Sequence, residues 1–147
     1  MVGSTGPKGD SGGISRYVYT QKSQELMANT ETVVVLNITG LSMNAFYTTE
    51  NAITLFEVGT YKIDYFLTAE SKTETVLTID VNRNNTLIPE SDISGDGIVD
   101  YFTQLTGTII VELVPDDVLT LVIKAERATS LSFNGSTNTK LSIIKLS

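Results

Sequence analysis

The run from Ile53 to Leu67, Ile-Thr-Leu-Phe-Glu-Val-Gly-Thr-Tyr-Lys-Ile-Asp-Tyr-Phe-Leu, constrains this chain more than any other stretch. Val58-Gly59-Thr60 reads as a tight corner in which Gly59 takes a positive φ at no steric cost. Beyond it Tyr61, Ile63, Tyr65 and Leu67 fall on one face of a strand, and Lys62, Asp64, Phe66 and Thr68 on the other. Period-two alternation of β-branched and aromatic residues is the pattern of a half-buried strand. Phe66 breaks it, a large apolar side chain on the face that should be wet. The same excess recurs in Val33–Ile38, Ile109-Ile110-Val111 and Ile143-Ile144. A sandwich sheet buries one face, so strands apolar on both need a second cover. With no convincing helix in the chain, the simplest cover is another copy of the same chain.

The remaining elements repeat the strand signal. Tyr17–Thr20 is a short strand, and Gln21–Thr30 is a polar segment with room for one helical turn at Glu25–Ala28. Thr32–Thr39 is continuously apolar, which predicts a strand buried on both faces and ended by Gly40. Ala45–Thr49 is another short strand. Thr75–Val81 alternates, and Asn82–Asn85 closes a hairpin onto Thr86–Ile88. Pro89–Gly97 reads as a loop, Val99–Val114 as a long strand kinked near Gly107, and Pro115–Asp117 as a turn. Val118–Ala125 places Leu119, Leu121 and Ile123 on one face; Asn134-Gly135 starts a turn, and Lys140–Leu146 closes the chain. Short strands separated by turn signals make an antiparallel all-β sandwich or barrel.

Ahead of the strands, glycine occupies every third position from Gly3 to Gly12. This is the register of collagen, where only glycine fits the crowded axis of three polyproline-II chains. A flexible Gly/Ser/Pro linker has the same composition. Pro7 at X, Lys8 at Y and Asp10 in the next triplet favour collagen, because Lys8 then meets an acidic partner on a neighbouring chain. So short a tract forms no stable triple helix alone and reads as the stump of a stalk. Residues 1–13 are thus expected to be the end of a Gly-X-Y stalk, disordered here, and residues 14–147 a single head domain. Met1-Val2 reads as an added start on a chain cut from a longer one, with any export signal upstream. A collagen tract requires three chains, and so do strands that need a partner's cover.

Composition removes several functions. The chain has 147 residues, enough for one domain with a sizeable core, and a net charge of −7. No basic run interleaved with aromatics offsets that charge, so a nucleic-acid partner is excluded. There is no cysteine and no histidine. Disulfides, thiolate metal sites, Ser-His and Cys-His dyads and the usual zinc ligands are therefore absent. No apolar stretch approaches the roughly 20 residues of a membrane span, so membrane insertion is not expected. No residue is assigned to catalysis or to a cofactor, and the chain is read as a non-enzyme.

Phe56-Glu-Val-Gly-Thr-Tyr-Lys-Ile63 resembles the Phe-x-x-x-Gly-x-Tyr-x-Ile/Phe signature of the tumour-necrosis-factor and complement globular-head jelly rolls. The block from Thr106 to Leu121 resembles that family's Ser-Gly, apolar strand, Gly-Asp-x-Val-x-Leu sequence, with Pro115 and Asp116 standing where Gly-Asp is more usual. Gly59–Ile63, Leu77–Asn82, Leu87-Ile88-Pro89 and the final Leu141–Lys145 strand follow the order found in the heads of bacterial collagen-like exosporium glycoproteins, the BclA-like group. That likeness runs from about Phe46 to Ser147. It implies an all-β antiparallel jelly-roll sandwich, homotrimeric, at the tip of a collagen-like filament on the spore surface or another extracellular surface. The implied role is to trimerise and nucleate the triple helix, with adhesion to host-surface or extracellular-matrix ligands as a second role. A receptor-binding tip of a phage or other surface fibre is the alternative.

Candidate interface or core residues are Tyr61, Tyr65, Phe66, Tyr101, Phe102, Ile143 and Ile144, where packing is weighed above ligand stacking. Asp92, Ser94, Asp96 and Asp100 have the spacing of a calcium loop, with Gly97 following Asp96. Thr103 takes the place of the bidentate glutamate and no helices flank the loop, so a solvated acidic turn is preferred to a metal site. Asn37-Ile38-Thr39, Asn84-Asn85-Thr86 and Asn134-Gly135-Ser136 fit the N-glycosylation pattern. Asp116 and Asp117 are read as a solvated pair in a turn rather than a glycosidase pair facing across a cleft.

Overall fold

The alternating run becomes the central strand of the molecule. In the computed structural model, which describes residues 13–17, 23–36, 38–39, 46–49, 51–133 and 138–147, it spans Gly59–Ser71 and is β7. Before it come β1 (Gly13–Tyr17), β2 (Ser23–Leu26), β3 (Thr32–Val33), β4 (Ile38–Thr39), β5 (Phe46–Thr49) and β6 (Ala52–Leu55). After it come β8 (Thr75–Arg83), β9 (Thr86–Leu87), β10 (Ile93–Gly97), β11 (Phe102–Leu113), β12 (Val118–Ala125), β13 (Thr129–Ser132) and β14 (Thr139–Lys145). The described residues contain strands and turns and no helix.

These strands form two seven-stranded sheets with antiparallel pairing. In the first, β11 pairs with β7 along one edge, from Phe102 opposite Glu70 to Leu113 opposite Gly59. On the other edge of β7 lie β14 and β13; β1 and β4 continue beyond β14, and β2 beyond β13. The second sheet has the order β10-β8-β12-β6-β5, with β3 on β12 and β9 on β8. Successive strands cross repeatedly between the sheets, so their inner faces close on one core. Tyr61, Ile63, Tyr65 and Leu67 of β7 face Leu77, Ile79 and Val81 of β8 and Leu119, Leu121 and Ile123 of β12 across it, all buried.

Two ends can be told apart. Gly13 pairs with Ile144, Thr60 N donates to Ser147 O and Leu146 N donates to Thr60 O, so β1 begins where the chain finishes. The opposite end carries the β7–β8 turn, the end of β10, the turn before β11 and the residues after β12.

Several local expectations are corrected. Gly59 has no positive φ; it opens β7, and its missing Cβ matters because one would stand 2.5 Å from Ser147 O. Gly107 does not kink β11, whose register runs through it opposite Tyr65. A Cβ there would lie 2.5 Å from the Tyr65 ring, so glycine seats the tyrosine. Glu25–Ala28 makes no helical turn, since residues 23–26 form β2. Thr32–Thr39 is two short strands, one in each sheet. Val34 and Leu36 are buried while Val33 and Val35 are exposed, so the run alternates and is not covered on both faces. The Asn84-Asn85 hairpin is as read: both residues have positive φ, as a two-residue type I′ turn requires. The Gly-X-Y tract, Val18–Thr20, Asn37 and the Asn134-Gly135 turn lie outside the described residues.

Candidate assembly interface

The outer face of the first sheet is organised by β7, whose outward positions are Lys62, Asp64, Phe66, Thr68 and Glu70. Register places Ile110 of β11 on one side of Lys62 and Ile144 of β14 on the other. Phe66 lies between Thr106 and Lys140. Ile110 is 64% exposed, and Phe66 and Ile144 are half-buried. Two charges in this face are engaged within it: Lys62 Nζ lies 3.8 Å from Asp64 Oδ2, and Thr108 Oγ1 donates to Asp64 Oδ1 at 2.6 Å. Among these polar positions Ile110, Phe66 and Ile144 are apolar, and no described strand covers them. Among the described residues no strand pairs with the second edge of β11, where Ile109 and Val111 are only partly buried beside Ile88 and Pro89.

The structure divides the interface candidates into three places. Tyr61, Tyr65 and Ile143 are buried in the core of a single chain. Tyr61 donates its hydroxyl to Glu57 O at 2.8 Å, and Tyr65 to Ser91 O at 2.5 Å. Burial, with the charges of Asp80 and Asp92, pushes the Tyr65 phenol up to about 12, which keeps it a neutral donor. Phe66 and Ile144 stand on the outward face just described. Tyr101 and Phe102 sit at the end remote from Ser147, 69% and 50% exposed, with Phe102 opposite Glu70. Ile110 was legible only as half of an Ile-Ile doublet, which shows two occupied faces without saying which is open.

At that remote end, Glu74, Asp96, Glu126 and Arg127 line a cleft of ≈ 410 Å³. Next to it, Asp92, Ser94 and Asp96 do not form a loop. Residues 93–97 are β10, paired from Ile93 with Ile79 to Gly97 with Thr75. Alternate residues of a strand stand about 6.8 Å apart on one face, so their oxygens line up rather than converge on an ion. Ser94 Oγ shares a hydrogen bond with Thr78 Oγ1 at 2.7 Å, and Asp100 sits in the following turn at φ 72°. Among the described residues no group of three or more acidic, histidine or cysteine side chains is placed to hold a metal.

Asp117 is not solvated. It is buried, accepts from Val114 N at 2.9 Å and from Asn84 Nδ2 at 2.9 Å, while Asn84 Oδ1 accepts from Val118 N. Both ends of the Asn84 amide are therefore engaged, the nitrogen by Asp117 and the oxygen by Val118. No described helix is long and apolar enough to cross a membrane.

No protein-family model matches this sequence, and no curated protein matches it. Solved structures do. Murine APRIL superposes with a TM-score of 0.66 at 14% identity, covering 92% of this chain and 100% of that one. Eiger TNF from S. frugiperda superposes with a TM-score of 0.68 at 10% identity, covering 94% of each. At such identities the likeness speaks for the fold, and the fold is the tumour-necrosis-factor-like jelly roll.

Proposed function

We propose that this chain is the trimerising head of a collagen-like filament protein of the bacterial spore surface. The observation that carries the reading is the outward face of the first sheet, with Ile110 exposed and Phe66 and Ile144 half-buried beside the edge of β11 that no described strand pairs. Large apolar side chains without cover mark an interaction surface. Here the partner is a second and a third copy of the chain, closed by a threefold axis. The shared fold with APRIL and Eiger TNF supports this arrangement.

The position of the ends supports the filament. Gly13 enters β1 at the end where Ser147 finishes, so a Gly-X-Y stalk joins there and the cleft end points away from it. Holding three stalk ends together turns a slow intermolecular nucleation into a local event at high effective concentration. The remote end, with Tyr101, Phe102 and the acidic cleft, is then the surface offered to host or matrix ligands, outside the cell and without catalysis.

Refolding of a longer Gly-X-Y stalk, followed by circular dichroism with and without the head attached, tests this role. The head should make recovery of the triple helix faster and nearly independent of protein concentration. Equal rates with and without it would remove the registration function.

A further inference from the structure

The outer face of the second sheet carries the opposite anomaly. Asp80 and Asn82 stand two apart on β8, on the face away from Ile79 and Val81, yet each is only 4% exposed. Neither Asp80 Oδ1 nor Asn82 Oδ1 has a hydrogen-bond partner. A buried acceptor left unsatisfied costs the desolvation of that group. Each of these oxygens lacks a donated hydrogen.

The groups facing Asp80 do not supply it. Glu31, just ahead of β3, accepts from Asn82 Nδ2 at 3.3 Å and leaves the amide oxygen unpaired. Asp92 precedes Ile93, the partner of Ile79, and so comes level with Asp80. From β12, Val122 is directly opposite and buried, and Lys124, level with Thr78, makes no ion pair with Asp80. From the first sheet, the Tyr65 hydroxyl is already donated to Ser91 O. Residues 28–36 form a strap along β12, through Asn29 N to Ala125 O, Val33 opposite Val122, and Val34 N to Leu121 O. Glu31 is the side chain by which this strap reaches β8.

We propose that Asp80 is a proton-operated latch for this strap. A proton on its carboxyl removes an orphaned buried charge and with it the repulsion of Glu31. Loss of the proton leaves Asp80, Glu31 and Asp92 all negative around the covered site, and the strap loosens. Consistent with this, burial first, then Glu31 and Asp92 against the opposing Lys124, push the Asp80 carboxyl up to about 6. The latch holds below the ordinary carboxylate range and weakens as pH rises through that value.

Hydrogen exchange of residues 28–36 in the full chain, corrected for the intrinsic pH dependence of exchange, tests the latch. Opening of the strap should rise about tenfold from about pH 5 to about pH 7, because the carboxyl is released toward its ordinary value when the strap opens. Asp80→Asn should hold the low-pH level throughout, and Glu31→Gln should move the midpoint to lower pH. A flat profile in the unaltered chain, or the same rise in Asp80→Asn, would overturn the proposal. So would closure of the strap by calcium chloride at neutral pH that is lost in Glu31→Gln, which would make the cluster a cation site.

Discussion

The two outer faces of this sandwich break the same rule in opposite directions. On the first sheet, apolar Ile110 is open to water and Phe66 and Ile144 are only half-buried; on the second, Asp80 and Asn82 are polar and shut away from it. An uncovered apolar face is relieved by something from outside, a further chain. A buried acid is relieved from within, by a proton or by movement of the neighbouring strap. One face is therefore a matter of concentration and the other of pH.

The sharpest way to break this contrast is a charge on the edge strand of the first face. Ile110→Asp should convert the assembly to monomers at concentrations where the unaltered chain is fully associated, because an unpaired charge cannot be desolvated in an interface. Asp96→Lys, on the exposed face of the second sheet, should leave the mass unchanged. Analytical ultracentrifugation of both variants separates the faces.

Gly107→Ala probes what lies between them. Its Cβ would collide with the Tyr65 ring, whose hydroxyl ties the first sheet to Ser91 at the entrance to β10. Overpacking of this kind costs about 1–3 kcal/mol, which denaturant unfolding measures. Loss of the same magnitude in Tyr65→Phe would instead assign the cost to the hydrogen bond.

Asp80→Asn should act in the other direction and more weakly. The folded carboxyl is raised to about 6 from 3.8, so its stabilising protonation is complete below the unfolded value and lost as pH rises through the folded one. Asn removes that loss, and the variant should exceed the unaltered chain by about 1–2 kcal/mol at neutral pH, less than the whole shift because exposed Glu31 and Asp92 are screened. The advantage should vanish near pH 4 in paired thermal unfolding curves. An advantage that does not depend on pH would assign it to packing. The smallest expected effect is that of a chelator, which should leave the unfolding temperature of the chain and of Asp96→Ala alike, since β10 spreads its oxygens along a strand.

Much of this was legible in the sequence because a strand writes its two faces on alternate residues. The run through Tyr61 and Tyr65 gave the central strand, Phe66 marked the open face, and Asn84-Asn85 marked the hairpin. What was hidden depended on contacts across the chain. Gly59 and Gly107 looked like corners but are places where a carbonyl and a tyrosine ring come close. Asp92 to Gly97 has the residues of a turn, and only its pairing with β8 makes it a strand. The period assigns Asp80 and Asn82 to solvent, and no local signal announces that they are buried or that Glu31, about fifty residues earlier, bonds Asn82.

The mass of the particle in solution tests the central claim most directly. Sedimentation equilibrium at micromolar concentration, with no stalk beyond the residues present, should give three times the chain mass, and the Ile110→Asp chain should give one. A monomeric unaltered chain under those conditions would mean that the open face of the first sheet does not drive assembly, and the trimerising role would fall with it.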